Sequence, residues 1–389
     1  MQQYLESLLE KIRSLRSRSG MTLRKVILKI IFWNIKYLLR HKNPRSKFKD
    51  NTIHIAFIPQ AGIGDFAFAA KYIYCLKKTF GENITIDIFA DHHFEAAECF
   101  WQGKKHINHL FFSNTPKQKV YDCEIALLRF PAIRYIDKKR VSQVGTEHLK
   151  QYLELLSNFQ IQNPLLYHSD YLGRCYSLLH GRTRENQADI ENRLSMTQVT
   201  DFHILLPEND KETFRKFGIK ENAYIIIQTG SGKHFRNEND IRQWPVEYYE
   251  ELIEKVRKIN PSITIIQIGE AYHKAVRNTD INLLGKTSFR EMLAILKGAR
   301  LLISQEGGLP ILRHFISRKP SCVIFGPTDK NFIGFDENIN LATNTCSGCE
   351  WLTNDWYVKC GKNEYGFSCT KLIKPEMIIQ KISTFINSN

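Results

Sequence analysis

The 389-residue chain has no uninterrupted run of about 20 apolar residues, the length a bilayer-spanning helix requires, so no spanning segment is expected. Proline (12) and glycine (21) are too scarce for a fibrous chain. A signal peptide is also absent from the pattern: the apolar stretch near the N-terminus is studded with charge, and no small-residue cleavage site follows it. Acidic residues are scarce in one place. Residues 1–50 hold thirteen Lys and Arg against Glu6, Glu10 and Asp50, which is +10 of the net +15. The remainder is nearly neutral, which argues against a body that wraps nucleic acid, and no nucleic-acid partner is expected. What is present, 43% hydrophobic and 24% charged residues, suffices for two folded domains.

The arm, residues 1–50, contains a segment from Met21 to Lys42 in which Leu23, Val26, Ile27, Ile30, Phe32, Trp33 and Leu38 alternate with cations such as Lys25, Lys29 and Lys36. An amphipathic helix of this composition suits either the interface of an anionic membrane, with cations against lipid phosphate, or packing on the body. The first reading places the protein in the cytoplasm, peripheral at the inner face of the inner membrane. Met21 is an alternative start.

After Asn51 the grammar changes. IHIAFIPQAGIGDF opens a strand, glycine loop and helix, ITIDIF follows as a strand, and further apolar runs continue to a helical stretch at 148–159. The polar stretch from about 170 to 215 reads as an inter-domain crossing. Then the pattern restarts with AYIIIQTGSG (223–232), a helix from WPVEYY (244–259), a strand at 262–269, a helix at 288–299, and strands LLISQEGG (301–308) and SCVIFGPT (321–328). The expected fold is α/β, two Rossmann-like doubly wound domains of the GT-B type facing a cleft, with an N-terminal helical arm. The domains are placed at 51–205 (acceptor) and 206–375 (nucleotide sugar), followed by a C-terminal helix at 376–389 that in such folds often returns to the first domain.

No short glycine motif here is informative alone. The order GIGD (62–65), QTGSG (228–232), RQWP (242–245), LLGKTS (283–288), EGGLP (306–310) and FGPTD (325–329) resembles glycosyltransferase family 9, the ADP-heptose:lipopolysaccharide heptosyltransferases. The resemblance implies that Asp65, in an acceptor loop with Gly62 and Gly64, is the base that deprotonates the acceptor hydroxyl; read alone, Asp65 caps a helix. It implies that Thr229, Gly230, Ser231 and Arg242 hold the donor diphosphate, Arg242 standing where relatives have Lys. Lys233 is a second cation for that role. Thr287, Glu270, Glu306, Gly307 and Gly308 complete the expected nucleotide-sugar site. Relatives carry Asp-Thr-Gly and then a His where this chain has Glu306-Gly307-Gly308 and Ile311, with His314 a turn further on, a departure that bears on the donor sugar. No Asp-x-Asp motif stands out, so no catalytic metal is expected.

Five cysteines (75, 99, 123, 175, 322) read as buried thiols. Cys346, Cys349, Cys360 and Cys369 are spaced C-x2-C-x10-C-x8-C, the pattern of a closed four-thiolate structural site for zinc or iron, with disulfides or free thiols as the alternative. Such a site would hold the loop of Trp351 and Trp356. The function expected is inverting transfer of heptose from ADP-heptose to the inner core of lipopolysaccharide. The alternatives are a related transferase with another nucleotide sugar or a protein acceptor, and a non-catalytic glycolipid-binding scaffold.

Overall fold

The computed structural model describes residues 48–113, 121–206, 210–230, 240–343, 348–353, 355–360 and 369–387. The arm up to residue 47, Ser231, Lys233 and Cys346 lie outside the described residues. The chain divides into two compact units, one ending at Ile204 and the other starting at Leu205.

The first unit is built on β1 (Ile53–Pro59), α1 (Ile63–Phe80), β2 (Ile84–Phe89), α2 (Phe94–Trp101), β3 (His109–Phe111), β4 (Cys123–Leu127), β5 (Pro131–Ile136), α3 (Lys138–Val144), α4 (Glu147–Gln162) and α5 (Asp170–Leu179). Its sheet runs β3-β2-β1-β4-β5. All pairs are parallel except the β4–β5 hairpin, whose register shifts between Glu124 and Ile125. Every residue of β1 is buried, as expected of a central strand covered on both faces. The strand β5 is a correction to the sequence reading, which placed none there. The polar stretch after residue 170 is a second correction. It carries α5 and then a strap in which Arg182, Arg184, Gln187 and Asp189 are all buried, so it belongs to the body of this unit.

The second unit holds α6 (Asp210–Phe217), β6 (Tyr224–Gln228), α7 (Val246–Ile259), β7 (Thr264–Gly269), β8 (Ile281–Leu284), α8 (Phe289–Gly298), β9 (Leu301–Gln305), α9 (Gly308–Ser317), β10 (Ser321–Ile324), α10 (Lys330–Ile333), β11 (Ile339–Leu341) and α11 (Pro375–Asn387). The sheet order is β11-β10-β9-β6-β7-β8, wholly parallel. Its core joins Ile225, Ile227, Leu252, Ile265 and Ile303 with Ile378, Ile382 and Ile386 of α11. Thus α11 packs on α7 of its own unit, whereas the expectation placed it on the first domain. Among the described residues no helix is long and apolar enough to cross a membrane.

Candidate active site

In the first unit the acceptor loop follows β1. Asp65 is the third residue of α1, and its Oδ2 accepts the Gly62 N–H at 3.1 Å. This is the capping role that the residue type favours at a helix start. The carboxylate does more: Oδ1 accepts from Arg184 Nη2 at 2.5 Å while the side chain stays 30% exposed. Capping therefore does not hide it, and open lone pairs remain on both oxygens. Gly64 is buried in the first turn and Gly62 is exposed. Ala61 adopts φ +70°, a left-handed conformation uncommon outside glycine. Its carbonyl is held by His92 Nε2 at 2.7 Å, and His92 Nδ1 faces Asp91 Oδ1 at 2.5 Å.

Arg184 is itself fixed. Its Nη2 also donates to the Leu128 carbonyl at 2.7 Å, Nη1 donates to Gln187 Oε1 at 3.3 Å, and the guanidinium lies 4.9 Å from the Phe68 ring centroid. Arg129 is paired with Asp170. Burial pushes the Arg129 guanidinium below its usual range, Asp170 opposes this and the neighbouring Arg184 charge adds to it. None of Arg184, Arg129, Asp170 or His92 was singled out from the sequence. Arg184 lies 119 residues from Asp65, in a segment with no motif.

In the second unit the expected donor residues divide. Arg242 and Glu306 come together: burial works against the Arg242 charge, but the hydrogen bonds to Asp240 and the carboxylates of Glu306 and Glu350 overcome it and hold the guanidinium firmly protonated. Arg242 grips Asp240 through Nε at 3.0 Å and Nη2 at 2.8 Å, and stands 5.4 Å from the Trp356 ring. Burial pushes the Glu306 carboxyl up, with Arg242 and the Thr328 hydroxyl, at 2.9 Å from Oε1, pulling the other way. Gly308 begins α9, so backbone N–H groups of a helix start adjoin Glu306 and Gly307. Trp244 of RQWP is buried and donates to the Ile373 carbonyl at 2.7 Å, anchoring this corner. Asp240, two residues before Arg242, is a local acid the sequence reading passed over.

One expectation is corrected. The Thr229 side chain is not presented to a ligand: it is buried, donates to the Lys274 carbonyl at 2.9 Å and accepts from Gln267 Nε2 at 3.2 Å. What the loop after β6 presents is backbone. Gly230 has φ +85°, and a Cβ there would lie 2.5 Å from the His273 ring, which also fills the space over Gly269. His314 does not replace the missing His at 311. It is buried, stacked on Phe335 at 3.7 Å, with Nδ1 at 2.5 Å from Glu337 Oε1. Glu270 is exposed and Thr287 half-buried, each on a loop after β7 or β8. Those loops meet where Gly285 N–H donates to the Gly269 carbonyl at 2.8 Å.

The cysteine loop packs on this corner. Glu350 N–H donates to the Pro327 carbonyl, Ile241 N–H to the Tyr357 carbonyl, and the Trp351 and Trp356 rings meet at 6.0 Å. Cys349 and Cys369 are buried and Cys360 half-buried, all three free of disulfides. Among the described residues, no group of three or more His, Cys, Asp or Glu side chains could hold a metal ion. Of the scattered cysteines, 75, 99, 123 and 322 are buried and 175 is half-buried; burial pushes the Cys75 and Cys322 thiols up to about 12.

Two parallel or mostly parallel α/β units, each with loops at the carboxyl ends of its strands carrying charged side chains and a helix start, define a two-unit protein of the Rossmann-like class. The model of glycosyltransferase family 9 (heptosyltransferase) matches residues 138–360, and the chain belongs to that family. Among solved structures it resembles the family 9 glycosyltransferase of Veillonella parvula (16% identity, 87% of this chain and 99% of that one covered, TM-score 0.54). It also resembles the iron-containing dodecameric glycosyltransferase TibC of enterotoxigenic E. coli (14%, 88% and 80%, TM-score 0.53). A TibC structure in complex with ADP-D-β-D-heptose gives 12% identity, 86% and 76% coverage and a TM-score of 0.52. No curated protein matches the chain.

Proposed function

We propose that the protein transfers heptose from ADP-heptose to the inner core of lipopolysaccharide with inversion at the anomeric carbon. The observation that carries this reading is Asp65, a solvent-reaching carboxylate at the carboxyl end of β1 whose two oxygens are each held by one donor. In the reaction the acceptor hydroxyl oxygen attacks the anomeric carbon, its proton passes to Asp65, and the bond to the diphosphate oxygen breaks as ADP leaves. Arg242, Gly230 and the start of α9 would face the departing diphosphate, supplying fixed positive charge and backbone N–H groups. Family membership supports glycosyl transfer, and the ADP-D-β-D-heptose held by a structure of the same fold supports the donor.

The basic arm supports an acceptor that carries phosphate in a membrane, and with it a cytoplasmic, peripheral location. The cysteine spacing supports one structural zinc or iron with no part in the transfer. Ile311 in place of His, with His314 buried, favours a second reading, the same chemistry with another nucleotide sugar. The test is transfer from ADP-heptose to a deacylated inner-core acceptor by wild type and D65N. The expected result is product from wild type and a loss of about 10²–10⁴-fold in D65N; equal rates would remove Asp65 from the mechanism, and product only with a different donor would select the second reading.

A further inference from the structure

We propose that Arg184 is the positioning residue of the reaction: clamped to the end of β4, it holds the Asp65 carboxylate in the orientation that receives the acceptor proton. The proposal rests on Asp65 being the base. Two hydrogens sit on Arg184 Nη2, and the structure uses both, one on Asp65 Oδ1 and one on the carbonyl of Leu128 just past β4. This fixes the guanidinium plane and ties the first turn of α1 to the neighbouring strand of the sheet. From behind, Gln187 accepts from Nη1 and is itself held by its Nε2 on Ser177 Oγ at 2.9 Å and the Gly173 carbonyl at 3.2 Å. Phe68 lies against the guanidinium. The Arg184 side chain is only 8% exposed and Gln187 is fully buried.

A purely structural strap has no need of this. Burying a guanidinium against a half-buried carboxylate is poor stabilisation, since a hydrophobic packing of similar volume does as well or better. The arrangement yields instead a carboxylate with one oxygen pinned by a rigid cation and the other by the Gly62 N–H. Its remaining lone pairs are confined to fixed directions. Misplacing a reacting group by about 1 Å costs on the order of 10²-fold in rate, so the expected effect of releasing the clamp lies between 10- and 100-fold on kcat.

The test compares R184Q, R184K, D65A and D65A/R184Q with ADP-heptose and the deacylated acceptor, each variant first checked for folding by circular dichroism and its melting temperature. Expected are a 10- to 100-fold loss of kcat in R184Q with both KM values within about twofold of wild type, partial recovery in R184K, and no further loss when R184Q is added to D65A. The same fractional loss in both backgrounds would show that Arg184 acts through the fold and overturn the proposal. D65A inactive with R184Q near wild type would overturn it while leaving Asp65 as the base; D65A at the wild-type rate would remove the base reading and this one with it. A crystal structure of R184Q needs no substrate: a carboxylate displaced or split between conformers supports the clamp, and one unmoved refutes it.

Discussion

Replacing Gly230 by Ala tests the donor-side loop at a position where the structure allows the cost to be worked out. The backbone there has φ +85°, and the new Cβ would stand 2.5 Å from His273 Cδ2 and 2.9 Å from Cγ and Nε2. A left-handed conformation costs a residue bearing a Cβ about 1–2 kcal/mol. The ring must also leave its place, giving up the hydrogen bond in which its Nδ1 accepts the Glu270 N–H at 3.2 Å, about 0.5–1.5 kcal/mol. The sum is roughly 1.5–3.5 kcal/mol. Removing the ring should recover only the second part, so G230A/H273A is expected to be more stable than the sum of the single changes by about 1 kcal/mol. Urea unfolding followed by tryptophan fluorescence, with Trp244 and Trp356 as reporters of the second unit, reads both values. A G230A midpoint indistinguishable from wild type, or strict additivity with H273A, would refute the steric argument.

Other expectations follow from the same geometry. T229V should cost stability, about 1–3 kcal/mol for leaving one hydrogen of the Gln267 amide without its acceptor while the other stays on the Lys274 carbonyl, yet leave turnover within a few-fold; a loss above 100-fold would restore the hydroxyl to the diphosphate site. Because burial raises the Glu306 carboxyl, the folded state binds its proton more tightly than the unfolded state, and this group's contribution to stability falls as pH rises from about 4. The melting temperature of E306Q relative to wild type should therefore climb between pH 4 and 7; a flat difference contradicts a raised Glu306 carboxyl. Metal analysis of the purified protein should find one zinc or iron per chain, lost in C349S; none in wild type would leave the four cysteines as thiols.

The strands that were legible in the sequence are those whose burial is continuous. IHIAFIP and YIIIQ are apolar on both faces because helices cover both. The strand β5 escaped because PAIRYI begins with proline, alternates with Arg134 and follows β4 after three residues, and β11 because it spans three half-buried residues. The strap at 182–189 was misjudged for a physical reason. Its polar side chains look like a solvated crossing, but Arg184, Gln187 and Asp189 are buried, and Arg184 finds its partners Asp65 and Leu128 far away in the chain, pairings that no local pattern records. In the candidate site, charge and spacing were enough to single out Asp65, Arg242 and Glu306 as candidates. At Thr229 the expected role turns on which way a hydroxyl points, and that is not written in the local sequence.

The most direct measurement is the melting temperature of the full chain against ADP, UDP, GDP and CMP. A ligand that binds only the folded state adds about 2.7 kcal/mol at a hundredfold excess over its dissociation constant, a shift readily seen. Selective stabilisation by ADP is the predicted result; a preference for UDP, GDP or CMP, or no shift with any of the four, would contradict the ADP-heptose donor.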